Sequence, residues 1–284
     1  MIFPEFVLTL SCPDRRGIVA EVSRFLFEKN CNILDSQQFG DRGNGRFFMR
    51  VHGLSEGGIS IPVLEQAFAA IAQAFAMEAQ FFDQTRKTRA LIMVSRFGHA
   101  LVDLLYRIRI GALPMEVPLI VSNHTDFADV AAAGNIPFVH LPMGKDNKPE
   151  QEARLSALMA QHRIDLTVLA RYMQILSDDF CRARPGRIIN IHHSFLPSFK
   201  GANPYTQAHQ RGVKLIGATA HYVTGDLDEG PIIDQAVERV SHALEPQDYV
   251  SVGRDIESRT LARAVQWHCE HRILLNGRKT VIFS

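Results

Sequence analysis

The sequence predicts an α/β protein with two domains, a ferredoxin-like βαββαβ unit followed by a larger Rossmann-like domain with a mostly parallel sheet. Between residues 6 and 83, short β-rich segments alternate with two amphipathic helical patterns. From residue 90 onward, strand and helix patterns alternate regularly, which is typical of a parallel sheet covered by helices. The chain has 284 residues, 46% hydrophobic and 21% charged, which is the balance of a soluble globular protein with room for two domains.

The first domain is predicted from strand signals and two apolar helical stripes. Residues 6–10 are β-rich, and a turn at residues 13–14 precedes the first helix. Residues 33–39 and 47–51 flank a glycine-containing loop and are predicted to pair as an antiparallel hairpin. A short strand at residues 79–82 completes the unit. The helical stripes are Ile18, Val22, Phe25 and Leu26, then Leu64, Phe68, Ile71 and Phe75.

The polar and basic segment at residues 84–89 separates the two predicted domains. We therefore expect the first domain to span residues 1–84 and the second to span residues 85–284. The predicted strands of the second domain are residues 90–94, 117–121, 138–141, 166–170, 188–192, 218–223 and 232–240. Its predicted helices are residues 126–133, 150–162 and 246–268.

The net charge indicates which class of partner the protein binds, and the cysteines indicate its cellular compartment. A net charge of +1 gives no basic footprint for nucleic acid or membrane, so the predicted partner is a small molecule. The four cysteines are scattered and form no C-x-x-C pair, which predicts reduced thiols in the cytoplasm rather than disulfides or a zinc knuckle. The N-terminus has no signal-peptide pattern and no apolar run is long enough to span a bilayer, so we expect neither export nor a membrane anchor.

Polar side chains at the end of one predicted strand are the best candidates for chemistry. Side chains alternate along a strand, so Asn190 and His192 share one face. Ligands of open parallel sheets bind at the carboxyl ends of strands, where these two side chains emerge. Asp228 follows in a polar loop. An amide can stabilise an oxyanion, an imidazole can move a proton near neutral pH and a carboxylate can orient or activate water, so the set indicates attack on an acyl carbonyl.

Three other interpretations of these residues remain open at this point. An Asn and a His at a strand end also satisfy loop backbone groups, and aspartates in a Gly-Pro loop also form turns. Histidines could bind a metal, but no H-E-x-x-H motif is present, and we expect no metal. A serine hydrolase is disfavoured because the sequence has no G-x-S-x-G motif.

Residues from about 88 to 284 resemble the formyltransferase family, whose motif is Asn-x-His followed by a distant Asp. Asn190, His192 and Asp228 match the catalytic positions of that motif, and His221 matches a further histidine near the site. The match extends over residues 196–201 and 217–219. The resemblance implies a Rossmann-like catalytic domain that acts on a formylated folate.

The resemblance also implies a folate pocket. In that family the pteridine lies between the loop that follows the preceding strand, one strand before the Asn-x-His strand, and the loop that carries the Asp. The implied substrate-binding residues are Leu169, Met173, Gln174, Ile175, Leu176, His221, Val223, Thr224 and Asp226. Related members often carry Arg where this chain has Gln174. If only the backbone at that position binds the pteridine, the change matters little; if that guanidinium holds the folate tail, another cation must hold it here.

The loop after the first strand of the second domain distinguishes two branches of the family. Transferases have a glycine-rich loop there, which binds phosphate through backbone N–H groups. This chain keeps one glycine, Gly98, crowded by Phe97 and His99. Its pattern Ser-x-x-x-His-x-Leu-x-Asp-Leu-Leu, from Ser95, resembles the deformylase branch instead. Members of this branch often carry a cysteine directly after that His, where this chain has Ala100. We therefore do not expect a cysteine at this position to be needed for catalysis.

Residues 14–22 resemble the ACT domain, a βαββαβ module that pairs with copies of itself and binds amino acids at the interface. The resemblance implies an amino-acid effector near Asp14, Gly17 and Asn32. The alternative is structural: Asp14 caps the helix and Gly17 admits a tight turn. Pairing of ACT modules and exposed sheet edges predict a homo-oligomer.

An ACT domain followed by a formyltransferase domain is the arrangement of deformylases. The resemblance therefore implies hydrolysis of 10-formyltetrahydrofolate to formate and tetrahydrofolate, with water as second substrate and no cofactor. We expect Asp228 to position and deprotonate water, Asn190 and protonated His192 to stabilise the oxyanion, and His192 to return a proton to N10. The formate would feed purine synthesis, and the reaction would balance the one-carbon folate pool. Alternatives are formyl transfer to an amine acceptor, as in glycinamide ribonucleotide transformylase, and a folate or amino-acid sensor without turnover.

Overall fold

The structure, a computed structural model, describes residues 3–144, 146–196 and 204–284. Of the sequence motif at residues 196–201, all but Leu196 lies outside the described residues. The chain divides into two compact units, residues 1–87 with 270–276 and 280–284, and residues 88–269 with 277–279. Among the described residues, no helix is both long enough and apolar enough to cross a membrane.

The first unit has the predicted βαββαβ order. Its elements are β1 (Glu5–Pro13), α1 (Ile18–Glu28), β2 (Cys31–Asp41), β3 (Arg46–Ser55), α2 (Ile61–Ala74) and β4 (Glu78–Asp83). The strands form an antiparallel sheet in the order β2-β3-β1-β4. The four apolar residues that predicted α1 are all buried, and α2 buries Leu64 and Phe68. Both helices share one apolar core with the sheet, so the predicted helix faces are confirmed.

The second unit is built on a mostly parallel seven-stranded sheet, as predicted. Its elements are β5 (Thr88–Val94), α3 (His99–Arg109), β6 (Met115–Ser122), α4 (Ala128–Ala133), β7 (Phe138–His140), α5 (Lys148–Gln161), β8 (Leu166–Leu169), α6 (Asp178–Arg182), β9 (Ile188–His192), α7 (Pro204–Gln210), β10 (Leu215–Tyr222), β11 (Ile232–Arg239) and α8 (Pro246–Cys269). The strand order is β11-β10-β9-β8-β5-β6-β7. Strands β5 to β9 pair in parallel, whereas β10 and β11 pair antiparallel with their neighbours.

The sequence predicts no helix between residues 95 and 116, where the structure has helix α3. The helix buries Ala100, Leu101 and Leu104, a narrow stripe that follows directly on the loop signature. The short helices α6 and α7 were also not predicted. Segments of five and seven residues are too short for the apolar period to repeat.

The sheet reverses its direction of growth at β5, with β6 and β7 on one side and β8 and β9 on the other. Such a reversal opens a crevice at the carboxyl ends of the strands. Ser95, directly after β5, donates its backbone N–H to the Arg171 carbonyl oxygen at 3.2 Å, and its Oγ accepts the Met173 backbone N–H at 2.9 Å. These bonds join the loop after β5 to the loop after β8 beside the crevice.

The C-terminal segment packs with the first unit, whereas the sequence predicts a second domain that spans residues 85–284. Strands β12 (Ile273–Asn276) and β13 (Lys279–Ile282) form a two-stranded hairpin. Leu274, Val281 and Phe283 pack against Phe48 of β3. Phe48 alternates with Phe47 and Met49, which face the helices, so it lies on the opposite face of the sheet. The tail covers apolar surface that α1 and α2 leave open.

Candidate active site

Cross-strand pairing places three of the predicted site residues in one row. Asn190 of β9 is the partner of Leu169 on β8 and of His221 on β10. Directly paired residues project from the same face of a sheet, so these side chains are neighbours. His192 lies two residues further along β9 and therefore shares the face of Asn190, as predicted.

Asp228 brings the two histidines together. Its Oδ2 lies 3.2 Å from Nδ1 of His192, and its Oδ1 lies 3.6 Å from Nε2 of His221. The Nε2 atom of His192 is buried and has no hydrogen-bond partner among the described residues. One ring nitrogen of His192 thus faces the carboxylate, and the other is available to a reactant.

The hydrogen bonds of His221 fix the orientation of the Asn190 amide. Nδ1 of His221 lies 3.0 Å from the Tyr222 carbonyl oxygen, which can only accept, so Nδ1 carries a hydrogen. In the neutral ring, Nε2 then accepts from Nδ2 of Asn190 at 3.2 Å. The Asn190 amide uses one N–H in this way and keeps a second N–H for a substrate oxygen.

The carboxyl group of Asp228 is ionised at neutral pH. Burial alone would raise its pKa, but contacts with His192 at 3.2 Å and with His221 at 3.6 Å outweigh burial and hold the pKa well below its ordinary value. The carboxylate therefore stabilises a positive charge on His192. A carboxylate of such low pKa is also a weak base, because a general base works best with a pKa near the operating pH.

The loop that carries Asp228 is held by backbone contacts. Asp228 has a left-handed φ of 57°, a conformation that Asp tolerates better than most residues. The Tyr222 N–H donates to the Pro231 carbonyl oxygen at 2.9 Å, which closes the loop. A Cβ added at Gly230 would overlap the carbonyl oxygen of Tyr222, so only glycine fits there without movement.

The other predicted folate-binding residues fall into two groups. Leu169, Leu176 and Val223 pack in one apolar core cluster. Gln174 is half-buried. The exposed residues are Met173, Ile175, Thr224 and Asp226. The structure therefore brings the catalytic candidates and His221 together, while the remaining residues form an apolar base and an exposed margin on two loops.

The three predicted effector residues lie in the first unit. Gly17 occupies the N-cap of α1 with φ of 94°, which supports a turn role for this glycine. Asp14 does not cap that helix, because α1 begins four residues later without a side-chain cap. A Cβ added at Gly40 of β2 would lie 3.1 Å from Oδ2 of Asp14. Asn32 is exposed on the edge strand β2.

The second unit contains another polar cluster, which the sequence alone does not predict. Glu257 of α8 is 1% exposed. Its carboxylate lies 2.7 Å from Nε2 of His99, 2.5 Å from the Tyr205 hydroxyl and 3.3 Å from Nε of Arg171, the last with the geometry of an ion pair rather than a hydrogen bond. The one sequence signal is that Glu257 lies within the apolar stripe of α8, directly after Ile256.

Two family models match the chain. A model described as formyl transferase matches residues 88–265, more than half of the chain, and a model described as ACT domain matches residues 6–60. Fold and site thus define a protein of the formyl transferase class with an N-terminal ACT domain, as the sequence analysis expected.

Individual relatives narrow the class. A formyltetrahydrofolate deformylase of Corynebacterium sp. (strain P-1) is 48% identical over 97% of this chain and 97% of its own length. The crystal structure of formyltetrahydrofolate deformylase from Burkholderia mallei matches with a TM-score of 0.95 and 48% identity, over 99% of this chain and 100% of its own. Glycinamide ribonucleotide transformylase 1 from Symbiobacterium toebii matches with a TM-score of 0.65 and 30% identity, over 72% of this chain and 97% of its own. The chain belongs to the formyltetrahydrofolate deformylase family.

Proposed function

We propose that this protein hydrolyses 10-formyltetrahydrofolate to formate and tetrahydrofolate. The observation that carries the proposal is the state of His192, whose Nδ1 faces Asp228 at 3.2 Å while its buried Nε2 has no hydrogen-bond partner among the described residues. A neutral imidazole that donates from Nδ1 has its lone pair on Nε2 and can take a proton from water. Family membership supports the formylated folate as substrate.

The proposed reaction proceeds through a tetrahedral intermediate. Water attacks the formyl carbon and transfers a proton to Nε2 of His192, while the formyl oxygen becomes an oxyanion that accepts the second N–H of Asn190. Asp228 stabilises the imidazolium that forms. The C–N10 bond then breaks as His192 returns its proton to N10, which yields tetrahydrofolate and formic acid, and the acid ionises to formate.

The role of Asp228 differs here from the one that the sequence suggested. From the sequence we expect Asp228 to deprotonate water and His192 to start protonated. Because the histidine contacts lower the pKa of Asp228, its carboxylate is a poor proton acceptor at neutral pH. We therefore assign proton acceptance to His192, and the orientation of His192 to Asp228.

The loop after β5 supports water as the acceptor rather than a phosphorylated amine. A Cβ added at Gly98 would overlap the ring of Phe127, so this glycine packs against a side chain. The next residue, His99, is bound to Glu257. Arg171 and Arg254 each place a guanidinium 5.8 Å from the ring centroid of Phe97. Transferases bind phosphate at the start of this helix. In this chain, other side chains of the protein already contact the residues there.

In this proposal, the pteridine binds between residues 169–176 and the loop at residues 223–228. In this proposal Leu169, Leu176 and Val223 form the apolar base, and Met173 and Ile175, which are exposed, contribute apolar side chains from the same loop. No resident cofactor or metal takes part in the steps assigned above. The formate would supply purine synthesis, and hydrolysis would balance the one-carbon folate pool.

For the whole chain we propose a cytoplasmic homo-oligomer regulated by an amino acid near Asp14, Gly17 and Asn32. The edge strand β2 exposes Ile33, Leu34 and Phe39, which supports association of copies through the first unit. The ACT match supports an amino-acid effector.

The test is release of formate and tetrahydrofolate from 10-formyltetrahydrofolate without any added acceptor. We expect wild-type protein to release both products and Asp228→Asn to lose at least about 100-fold in kcat, because an amide cannot stabilise the imidazolium of His192. Asp129→Asn changes an exposed aspartate of α4 in the same way and is expected to behave as wild type. If wild-type protein binds the folate but forms product only with an amine acceptor, the proposal is wrong and a transferase is favoured; binding with no product favours a sensor.

A further inference from the structure

His193, which neither the motif nor the proposed mechanism uses, packs its ring against His192. The two ring centroids lie 4.9 Å apart and the ring planes differ by 21°, which is a nearly parallel stack. Strand β9 ends at His192, so the chain is no longer extended at the next residue and the second ring can lie against the first. The ring of His193 also lies 6.5 Å from that of Tyr205.

His193 is neutral at neutral pH despite two nearby acids. Burial, then the charges of Arg171 and His192, lower its pKa from 6.5 to about 4, against the opposite influence of Glu257 and Asp228. Together with the Tyr205 hydroxyl, these are the charged and titratable groups that act on the ring among the described residues. A neutral ring beside His192 adds no repulsion when His192 takes up a proton, and its π face attracts the resulting imidazolium.

The Glu257 cluster holds the surroundings of His193 in place. The Arg171 side chain is 11% exposed, and its carboxylate partner Glu257 is ionised because contacts with His99, Arg171 and Tyr205 outweigh the burial that would raise the pKa of this carboxyl. Buried charges persist only when paired, so Arg171 is fixed close to His193. Tyr205 belongs to the same cluster, because its hydroxyl donates to Glu257 at 2.5 Å. The ring of Tyr205 also lies next to that of His193.

We propose that His193 is a positioning residue that holds the ring plane of His192 and stabilises its protonated form by stacking. This inference rests on the proposed function, because His192 is the group that takes and returns the proton. This role requires a flat aromatic ring at position 193 but does not require a ring nitrogen there.

Three variants test whether the aromatic ring or the ring nitrogen of His193 is needed. His193→Phe keeps an aromatic face, His193→Leu removes it at similar size, and His193→Asn keeps a polar nitrogen without a ring. We expect Leu and Asn to lower kcat by about 10-fold to 100-fold with little change in KM, since loss of orientation affects the reacting group rather than folate binding. We expect Phe to restore most of that loss. His242→Leu, at an exposed position, is the matched control and is expected to behave as wild type.

The readout that a purely structural role would not give is the pattern of rescue, in which Phe restores kcat and Asn does not, while KM stays near its wild-type value. Wild-type kcat in the Leu variant, or recovery by Asn instead of Phe, would each overturn the inference. If the Phe variant does not fold, wild-type kcat in the Leu or the Asn variant would still overturn it. Hydrolysis by the wild type without an acceptor tests the proposed function, so a wild type and a Leu variant that hydrolyse equally well contradict this inference alone.

Discussion

Asn190 is the residue whose task follows most directly from its contacts. His221 occupies one N–H of its amide, and the second N–H is the proposed donor to the oxyanion. We expect Asn190→Ala to lower kcat by about 10²–10³-fold, because one oxyanion donor is lost, while KM for the folate changes little. Steady-state hydrolysis assays measure both constants. Near-normal turnover of this variant would show that the oxyanion is stabilised elsewhere.

Single residues also mark the limit of inference from sequence. Asn190, His192 and Asp228 could be found because a strand end and a polar loop signal them locally. Glu257, Arg171 and His193 could not, since their relation depends on a long-range meeting of α8 with the loop after β8. A glutamate in a helix is usually exposed, so its place in the apolar stripe of α8 is a weak signal, and the fold shows that this one is buried.

At the scale of elements, the backbone of the loop between β10 and β11 contacts a group that is hydrogen-bonded to the active site. Gly230 packs against the carbonyl oxygen of Tyr222, and that oxygen accepts from Nδ1 of His221. We expect Gly230→Ala to displace the loop and to lower the free energy of unfolding by about 1–3 kcal/mol. We also expect kcat to fall by more than the decrease in the amount of folded protein accounts for. Chemical denaturation and hydrolysis assays measure the two effects.

The control for the loop prediction is Gly144→Ala, where a new Cβ would make only an ordinary contact, 3.7 Å from Asn147. We expect this variant to keep wild-type stability and kcat. A Gly230→Ala variant with unchanged kcat would mean that the position of Asp228 does not depend on this close packing.

Elements were predictable where an apolar period repeats. The stripe of α1 recurs over its 11 residues and predicted all four of its buried positions. The C-terminal hairpin was not predictable, because strands of four residues carry too little pattern and their partner, Phe48, is distant in the chain. The parallel sheet was predictable from the alternation of elements, whereas the packing of the tail depends on which sheet face the helices leave open.

At the scale of the whole molecule, the second unit holds the half-buried imidazole of His268 in its neutral form, which acidic pH disfavours. The ring of His268 on α8 lies within hydrogen-bond distance of the Tyr222 hydroxyl, with 2.7 Å between Nδ1 and the oxygen. Burial, then the charge of Arg187, lowers the pKa of His268 from 6.5 to about 4. Folding therefore excludes a proton that the unfolded chain binds.

The sign of the resulting pH dependence follows from proton counts. Between pH 6.5 and 4 the unfolded chain binds the His268 proton and the folded chain does not, so the stabilisation present above pH 6.5 is lost as pH falls, by at most about 3 kcal/mol for this group. We expect denaturant titrations at pH 7, 6 and 5 to give a declining free energy of unfolding, and His268→Gln, which does not titrate, to decline less. His242→Gln is the exposed control and should keep the wild-type slope. Equal slopes in the wild type and in His268→Gln would show that acid enters the fold at another group.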